Sequence, residues 1–121
     1  MVMKRYFWII TGLILCSFAA QNVIETGKAS YYANKFEGRR TSSGEVFRQD
    51  SLTAAHKTLP FGTKVLVRNM KNDSTVILKI NDRLSKSSAH CIDVSLKAAQ
   101  KLNFVRSGIT TVTLEKINEE Q

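Results

Sequence analysis

Residues Leu52–Asp82 read "LTAAHKTLPFGTKVLVRNMKNDSTVILKIND". Three strand-like runs are separated here by two turn signals. "LTAAH" is a short strand ending in an ionisable side chain, His56. Pro60 and Gly62 punctuate the turn after it. "TKVLVRNM" is apolar and β-branched, which suits a pleated, half-buried surface. In "KNDS", Asn72 and Asp73 tolerate left-handed backbone and mark a hairpin turn. "TVILKIND" then alternates, with Val76, Leu78 and Ile80 on one face.

Outward from this block the pattern stays short-stranded. Upstream, "GKASYYA" (residues 27–33) reads as a strand, with Ala29 and Tyr31 on one face and Lys28, Ser30 and Tyr32 on the other. Between them, "NKFEGRRTSSGEVFRQD" is rich in Gly, Ser and charge. A loop of that length in so small a domain is usually functional. Downstream, a polar loop "RLSKSSAH" leads into a brief strand, "CIDV". The period then changes: Ser95 is placed to cap a helix over "LKAAQKLNF", with Leu96, Ala99 and Leu102 on one face. "ITTVTLEKI" is a closing strand. Six short strands and one helix in roughly ninety residues predict a mainly β fold, a small six-stranded barrel with one short helix.

The 121 residues suffice for one domain. The first nineteen read as a secretory signal peptide: Lys4 and Arg5, an apolar run, then small residues with cleavage near Ala19 or Ala20. The apolar run is short for a membrane span. Cys16 follows Leu15 rather than a small residue, so membrane attachment by lipidation there is the lesser alternative. Residues 27–117 form the domain, and the chain is expected to be exported to the periplasm or cell envelope. Cys91 would then have no disulfide partner and reads as a small buried hydrophobe. The net charge of +8 favours an anionic partner. No nucleic-acid-binding motif accompanies it, so nucleic acid is not expected.

Ionisable groups gather at the loop–strand junctions: Glu45, His56, Asp82 and Asp93. On a rigid barrel such positions can converge on one groove. A carboxyl there could protonate a leaving oxygen if its pKa were raised by burial or by a second carboxylate. Glu45 and Asp82 are candidates for such a pair, with His56 bonding one of them. Each also has a plainer reading: Glu45 as solvated charge, His56 as a packed histidine, Asp82 as a turn-former, Asp93 as a brace for the helix start. Two histidines and scattered acids give no metal-ligand spacing, and the glycines make no phosphate loop, so neither metal nor cofactor is expected.

"ASYYANKFEGRRTSSGE", "LTAAHKTLPFGTKVLVRN", "VILKINDR" and "IDVSLKAAQKL" stand in an order that resembles the rare lipoprotein A (RlpA) family of septal-ring lytic transglycosylases. The resemblance implies a double-psi β-barrel. It implies catalytic roles for Glu45, His56 and Asp82, with Asp82 as acid/base and the other two tuning it or binding sugar hydroxyls. Asp93, Thr41 and Arg83, from the same blocks, are expected to bind substrate. The implied substrate is peptidoglycan, cleaved between N-acetylmuramic acid (MurNAc) and N-acetylglucosamine (GlcNAc) in strands stripped of stem peptides, with closure of a 1,6-anhydro ring. Division-site proteins are the further partner class implied, and the chain is expected to be monomeric. A non-catalytic, expansin-like wall-binding module is the alternative. Leu84-Ser85 replaces the Gly-Pro that usually comes after the Asn-Asp-Arg block.

Overall fold

The computed structural model describes residues 22–118. The stretch read as an export leader, with Cys16, lies outside them. Six strands close into a barrel: β1 (Val23–Tyr31), β2 (Thr53–His56), β3 (Lys64–Asn69), β4 (Thr75–Arg83), β5 (Ile92–Val94) and β6 (Thr110–Lys116). Around the barrel the order is β1-β5-β2-β4-β3-β6. Two pairs are parallel, β1 with β5 and β2 with β4, and the remaining four are antiparallel. One helix, α1 (Leu96–Lys101), joins β5 towards β6, and a 3-10 turn (Asn34–Phe36) opens the first long loop. This is the mainly β, six-stranded barrel with one short helix that the sequence predicts. No helix among the described residues is long and apolar enough to cross a membrane.

The core arises from alternation. Val65 and Val67 of β3, Val76, Leu78 and Ile80 of β4, and Val112 and Leu114 of β6 all point inward and are buried. Ala98, Ala99 and Leu102 seal one end from the helix. Ser95 accepts a hydrogen bond from the amide of Ala98, the expected N-cap. The helix ends earlier than the apolar spacing predicts, because Asn103 takes a left-handed φ of 56°. The first strand starts four residues ahead of the predicted Gly27, since Val23–Thr26 extend its pairing with β6. Cys91 is buried as expected, and burial pushes its thiol up to about 11. The hairpin turn between β3 and β4 has its left-handed residue at Asp73, φ 66°.

Buried Asn69, at the end of β3, ties three elements together. Its Nδ2 donates to the Leu102 carbonyl (2.7 Å), and its Oδ1 accepts from Thr110 Oγ1 (2.8 Å) and the Lys71 amide (3.0 Å). Asn72 and Ser74 also donate to the Leu102 carbonyl. Asn69→Ala orphans the buried Thr110 hydroxyl and is expected to cost about 2–3 kcal/mol in urea unfolding. Asn72→Ala leaves that carbonyl satisfied and should cost about 1 kcal/mol or less in the same measurement.

Candidate functional site: an aspartate cleft across three strands

The alternation of β4 breaks at one place. Val76, Leu78 and Ile80 face the core, so an unbroken strand would turn Asp82 inward as well. The pairing with β2 slips instead: Ala54 opposes Ile80, and the next residue, Ala55, opposes Asp82. Asn81 is the extra residue of this bulge, and Asp82 is carried to the outer face. Bulges re-aim side chains in this way beside functional sites. Ala55 in turn opposes Asp93 of β5, and Asp93 opposes Ser30 of β1. Asp82, Ala55, Asp93 and Ser30 therefore form one row across four strands. Two strand spacings separate the aspartate backbones, about 10 Å.

Asp82, Ala55 and Asp93 of this row floor a cleft of about 300 Å³. Its lining includes Tyr31, Tyr32, Phe36, Ala55, Asp82 and Asp93. Ala55 is the smallest side chain that a strand floor offers short of glycine, so the space between the carboxylates stays open. Tyr32 stacks on buried Phe47, ring centroids 4.1 Å apart, and meets Phe36 edge-on. The walls are thus aromatic and the floor is acidic.

Asp82 accepts three hydrogen bonds. Tyr32 Oη donates to Oδ2 (2.6 Å), and the amides of Ser42 and Arg83 donate to Oδ1 (2.9 Å each). Burial pushes this carboxyl up, but the donors outweigh burial and hold it below the usual carboxylate range. Asp82 rests as an anion. Tyr32 is pushed well above its ordinary value, by burial first and then by the Asp82 carboxylate, so it remains a donor.

Ser42 belongs to a tight hairpin in the first long loop. Arg40 bridges Val46, and Gly44 takes the left-handed φ of 92° that the turn requires. Thr41 holds this hairpin through its amide and hydroxyl, both donating to the Glu45 carbonyl (2.8 and 3.0 Å). Glu45 does not line the cleft; it closes the hairpin. Its Oε2 accepts from Lys79 Nζ (2.8 Å) and its Oε1 from Asn81 Nδ2 (3.0 Å), and those bonds lower its pKa. Asp93 accepts from Ser30 Oγ, with His90 Nδ1 3.7 Å away.

His56 departs from the expectation that it bonds Glu45 or Asp82. It is only 4% exposed. Its Nδ1 accepts from the amides of Thr58 and Leu59 (3.1 and 3.0 Å), so the proton sits on Nε2, which donates to Glu25 Oε1 (2.7 Å). On β2 it takes the face opposite to Ala55 and shapes the turn leading to β3. That turn presents the carbonyls of His56 and Leu59 to Arg83 Nη1 (3.0 and 2.8 Å), while the guanidinium lies 4.3 Å over the Phe61 ring. Arg83 lines the cleft from this anchored position.

Asp82, Asp93 and Arg83 thus share one cleft, whereas Glu45, Thr41 and His56 do not line it. Tyr32 carries no role in the sequence reading, although the alternation of the first strand sets Ser30 and Tyr32 on one face. That shared face is the available signal. Among the described residues no cluster of His, Cys, Asp and Glu could hold a metal ion.

A family model described as lytic transglycolase matches residues 24–114, all but the outermost residues of the barrel. The chain belongs to this family. A Neisseria meningitidis protein named endolytic peptidoglycan transglycosylase RlpA is 48% identical over 93 residues, covering 77% of this chain and 39% of that protein. A Treponema pallidum protein named probable endolytic peptidoglycan transglycosylase RlpA is 45% identical over 98 residues, covering 81% of this chain and 31% of that protein. The chain therefore spans well under half the length of these relatives. The RlpA resemblance read from the four sequence blocks is borne out. So is the double-psi barrel: an expansin from Clavibacter michiganensis superposes with a TM-score of 0.64 at 16% identity, covering 84% of this chain and 52% of that one.

Asp82 is expected to contribute to the pH dependence of stability of this RlpA-family domain. Its folded pKa lies below the ordinary value of 3.8. A depressed carboxyl contributes stability that is present above its unfolded pKa and lost as pH falls through the folded one. Asp82→Asn is expected to flatten the decline in Tm between about pH 5 and pH 2. Circular dichroism melts across that range measure the difference.

Proposed function

We propose that this domain is an endolytic lytic transglycosylase of peptidoglycan. It cleaves the MurNAc–GlcNAc bond of glycan strands stripped of stem peptides and leaves 1,6-anhydro ends. The observation that carries the reading is Asp82: an ionised carboxylate with three donors, aimed into an open, aromatic-walled cleft. The family membership and the names of the relatives support the same reaction.

The chemistry needs a proton moved from the C6 hydroxyl of the muramyl residue to the departing oxygen, with no water consumed. Asp82 starts as the base. It takes the C6 proton as the C6 oxygen closes on C1, then passes that proton to the oxygen leaving C1. Its negative charge also stabilises the oxocarbenium character that develops at C1. This reverses the order expected of a carboxyl raised by burial, because the hydrogen bonds favour its charged form. Tyr32 fixes the carboxylate orientation, and its ring with Phe36 supplies an apolar wall for the sugar. Asp93 and Ser30 offer hydrogen bonds to sugar hydroxyls at the other end of the floor. Glu45 and Thr41 act by holding the hairpin whose Ser42 amide reaches Asp82. His56 acts through the turn that anchors Arg83, without touching substrate.

Residues 1–19, read as an export leader, support action in the periplasm or cell envelope, with anchoring through Cys16 the lesser alternative. Division-site proteins are the partner class that the family resemblance suggests.

Purified protein incubated with denuded strands should release oligosaccharides ending in 1,6-anhydro sugars, read by mass spectrometry. Asp82→Asn should abolish release while the circular dichroism spectrum stays unchanged. Reducing ends would instead mean hydrolysis, and strand retention without products would mean a wall-binding module. Tyr32→Phe removes a donor that favours the Asp82 anion, so the acidic limb of the pH–rate profile should move to higher pH.

A further inference from the structure

Glu25 has no part in the reaction described above and does not line the aspartate cleft. Along β1, Glu25, Gly27 and Ala29 alternate and share one face. Ala29 is wholly buried, and the residue opposite Glu25 on β6 is buried Leu114. That face points into the barrel. The pairing of β1 with β6 does slip, but at Ile24: Val23 opposes Glu115 and Glu25 opposes Leu114. In β4 a slip carries Asp82 out of the inward series. In β1 the slip comes too early to do the same, and a carboxylate is left on the inward face. Such a group is costly without a donor. Its donor is His56 Nε2, 2.7 Å from Oε1.

This bond bears on the cleft through the other ring nitrogen. A carboxylate on one imidazole N–H fixes the ring orientation and makes the second nitrogen more basic. In His56 that second nitrogen is Nδ1, the acceptor for the amides of Thr58 and Leu59. The turn closed by those amides leans back on β4. The His56 carbonyl accepts from Arg83 Nη1 (3.0 Å) and from the Leu84 amide (3.2 Å), and the Leu59 carbonyl accepts from Arg83 Nη1 (2.8 Å). Arg83 and Leu84 both line the aspartate cleft. With Nη1 held by two carbonyls, the rest of the guanidinium is set in one orientation. Its remaining N–H groups are donors with no acceptor function of their own, suited to the hydroxyl and ring oxygens of a sugar.

We propose that Glu25 is a positioning residue for glycan binding: it holds the His56 ring so that the Thr58–Leu59 turn keeps Arg83 in place in the cleft wall. The assignment rests on the transglycosylase reading for the identity of the ligand. It extends that reading to a carboxylate that no glycan touches, acting from the opposite face of β2.

Equilibrium binding of denuded strands to the 121-residue chain tests this, in an Asp82→Asn background that leaves the strands intact. Glu25→Ala should weaken binding about tenfold, the size of one charge-assisted contact. Glu25→Gln should bind within about twofold of the parent, because its amide oxygen still accepts from Nε2. When Arg83→Gln is already present, Glu25→Ala should cost less than about twofold more, since the two residues act as one unit. Amide hydrogen exchange gives the local readout: Thr58 and Leu59 should exchange about tenfold faster in Glu25→Ala, with Val67 and Leu78 unchanged. Should Glu25→Ala fail to fold, Glu25→Asp, which is too short to reach Nε2, replaces it in every comparison with the same expected results.

Undiminished binding or unchanged exchange at Thr58 and Leu59 would overturn the assignment, as would a full further loss on top of Arg83→Gln. An equal loss in Glu25→Gln would overturn it by assigning the effect to charge, and so would a parent chain that binds no strands. Anhydro products are scored separately with Asp82 intact. Their absence together with Arg83-coupled binding would sink the transglycosylase reading and leave the role of Glu25 standing.

Discussion

A single slipped residue in β4 determines what the barrel can do. Were Asn81 paired with β2 in regular register, Asp82 would continue the inward series of Val76, Leu78 and Ile80. It would then be a buried charge among valines and leucines, which is costly without a partner. With the slip, Asp82 faces outward beside Ala55, where Tyr32 and two amides can reach it. The bulge therefore separates two requirements that a regular strand would set against each other: an apolar core and a charged working surface. Its extra residue is used as well, since the Asn81 side chain donates to the Glu45 carboxylate.

The charged state of Asp82 is a product of tertiary closure. Ser42 lies forty positions before it and Tyr32 fifty. Each donor is held by its own local structure. Tyr32 is pinned between Phe47 and Phe36, and Ser42 sits in a hairpin that Thr41 and Gly44 define. Orientation is thereby set before substrate arrives, which is where enzymes gain most from polar groups. The same closure explains the modest part of His56. Its neighbours in sequence suggest an active imidazole, yet both ring nitrogens are spent on shaping a turn and holding Glu25.

Much of the architecture is visible in the chain. The β4 alternation, the Asn-Asp hairpin, the Ser95 cap and the shared face of Ser30 and Tyr32 all rest on interactions within a few residues, where periodicity and turn chemistry act. What escapes the sequence is register. The slip at Asn81 leaves only a faint mark, two polar residues in succession after a strict alternation. The meeting of Tyr32 with Asp82 leaves none, because it depends on β1 and β4 being brought to opposite flanks of β2 and β5. The direction of His56 is equally hidden: a one-residue change of phase on a four-residue strand reverses it. The extension of β1 ahead of Gly27 is hard to read because "VIET" shares no clear alternation with "GKASY".

The closed barrel has one more consequence, for durability. A ring of six strands leaves no long unpaired edge for another chain to extend. Among the described residues the sole thiol is Cys91, free, sheltered from solvent and with burial disfavouring its reactive thiolate. No covalent staple within these residues can be reduced, shuffled or mispaired. The domain's integrity is therefore indifferent to the redox poise of its surroundings and resides wholly in packing and hydrogen bonding.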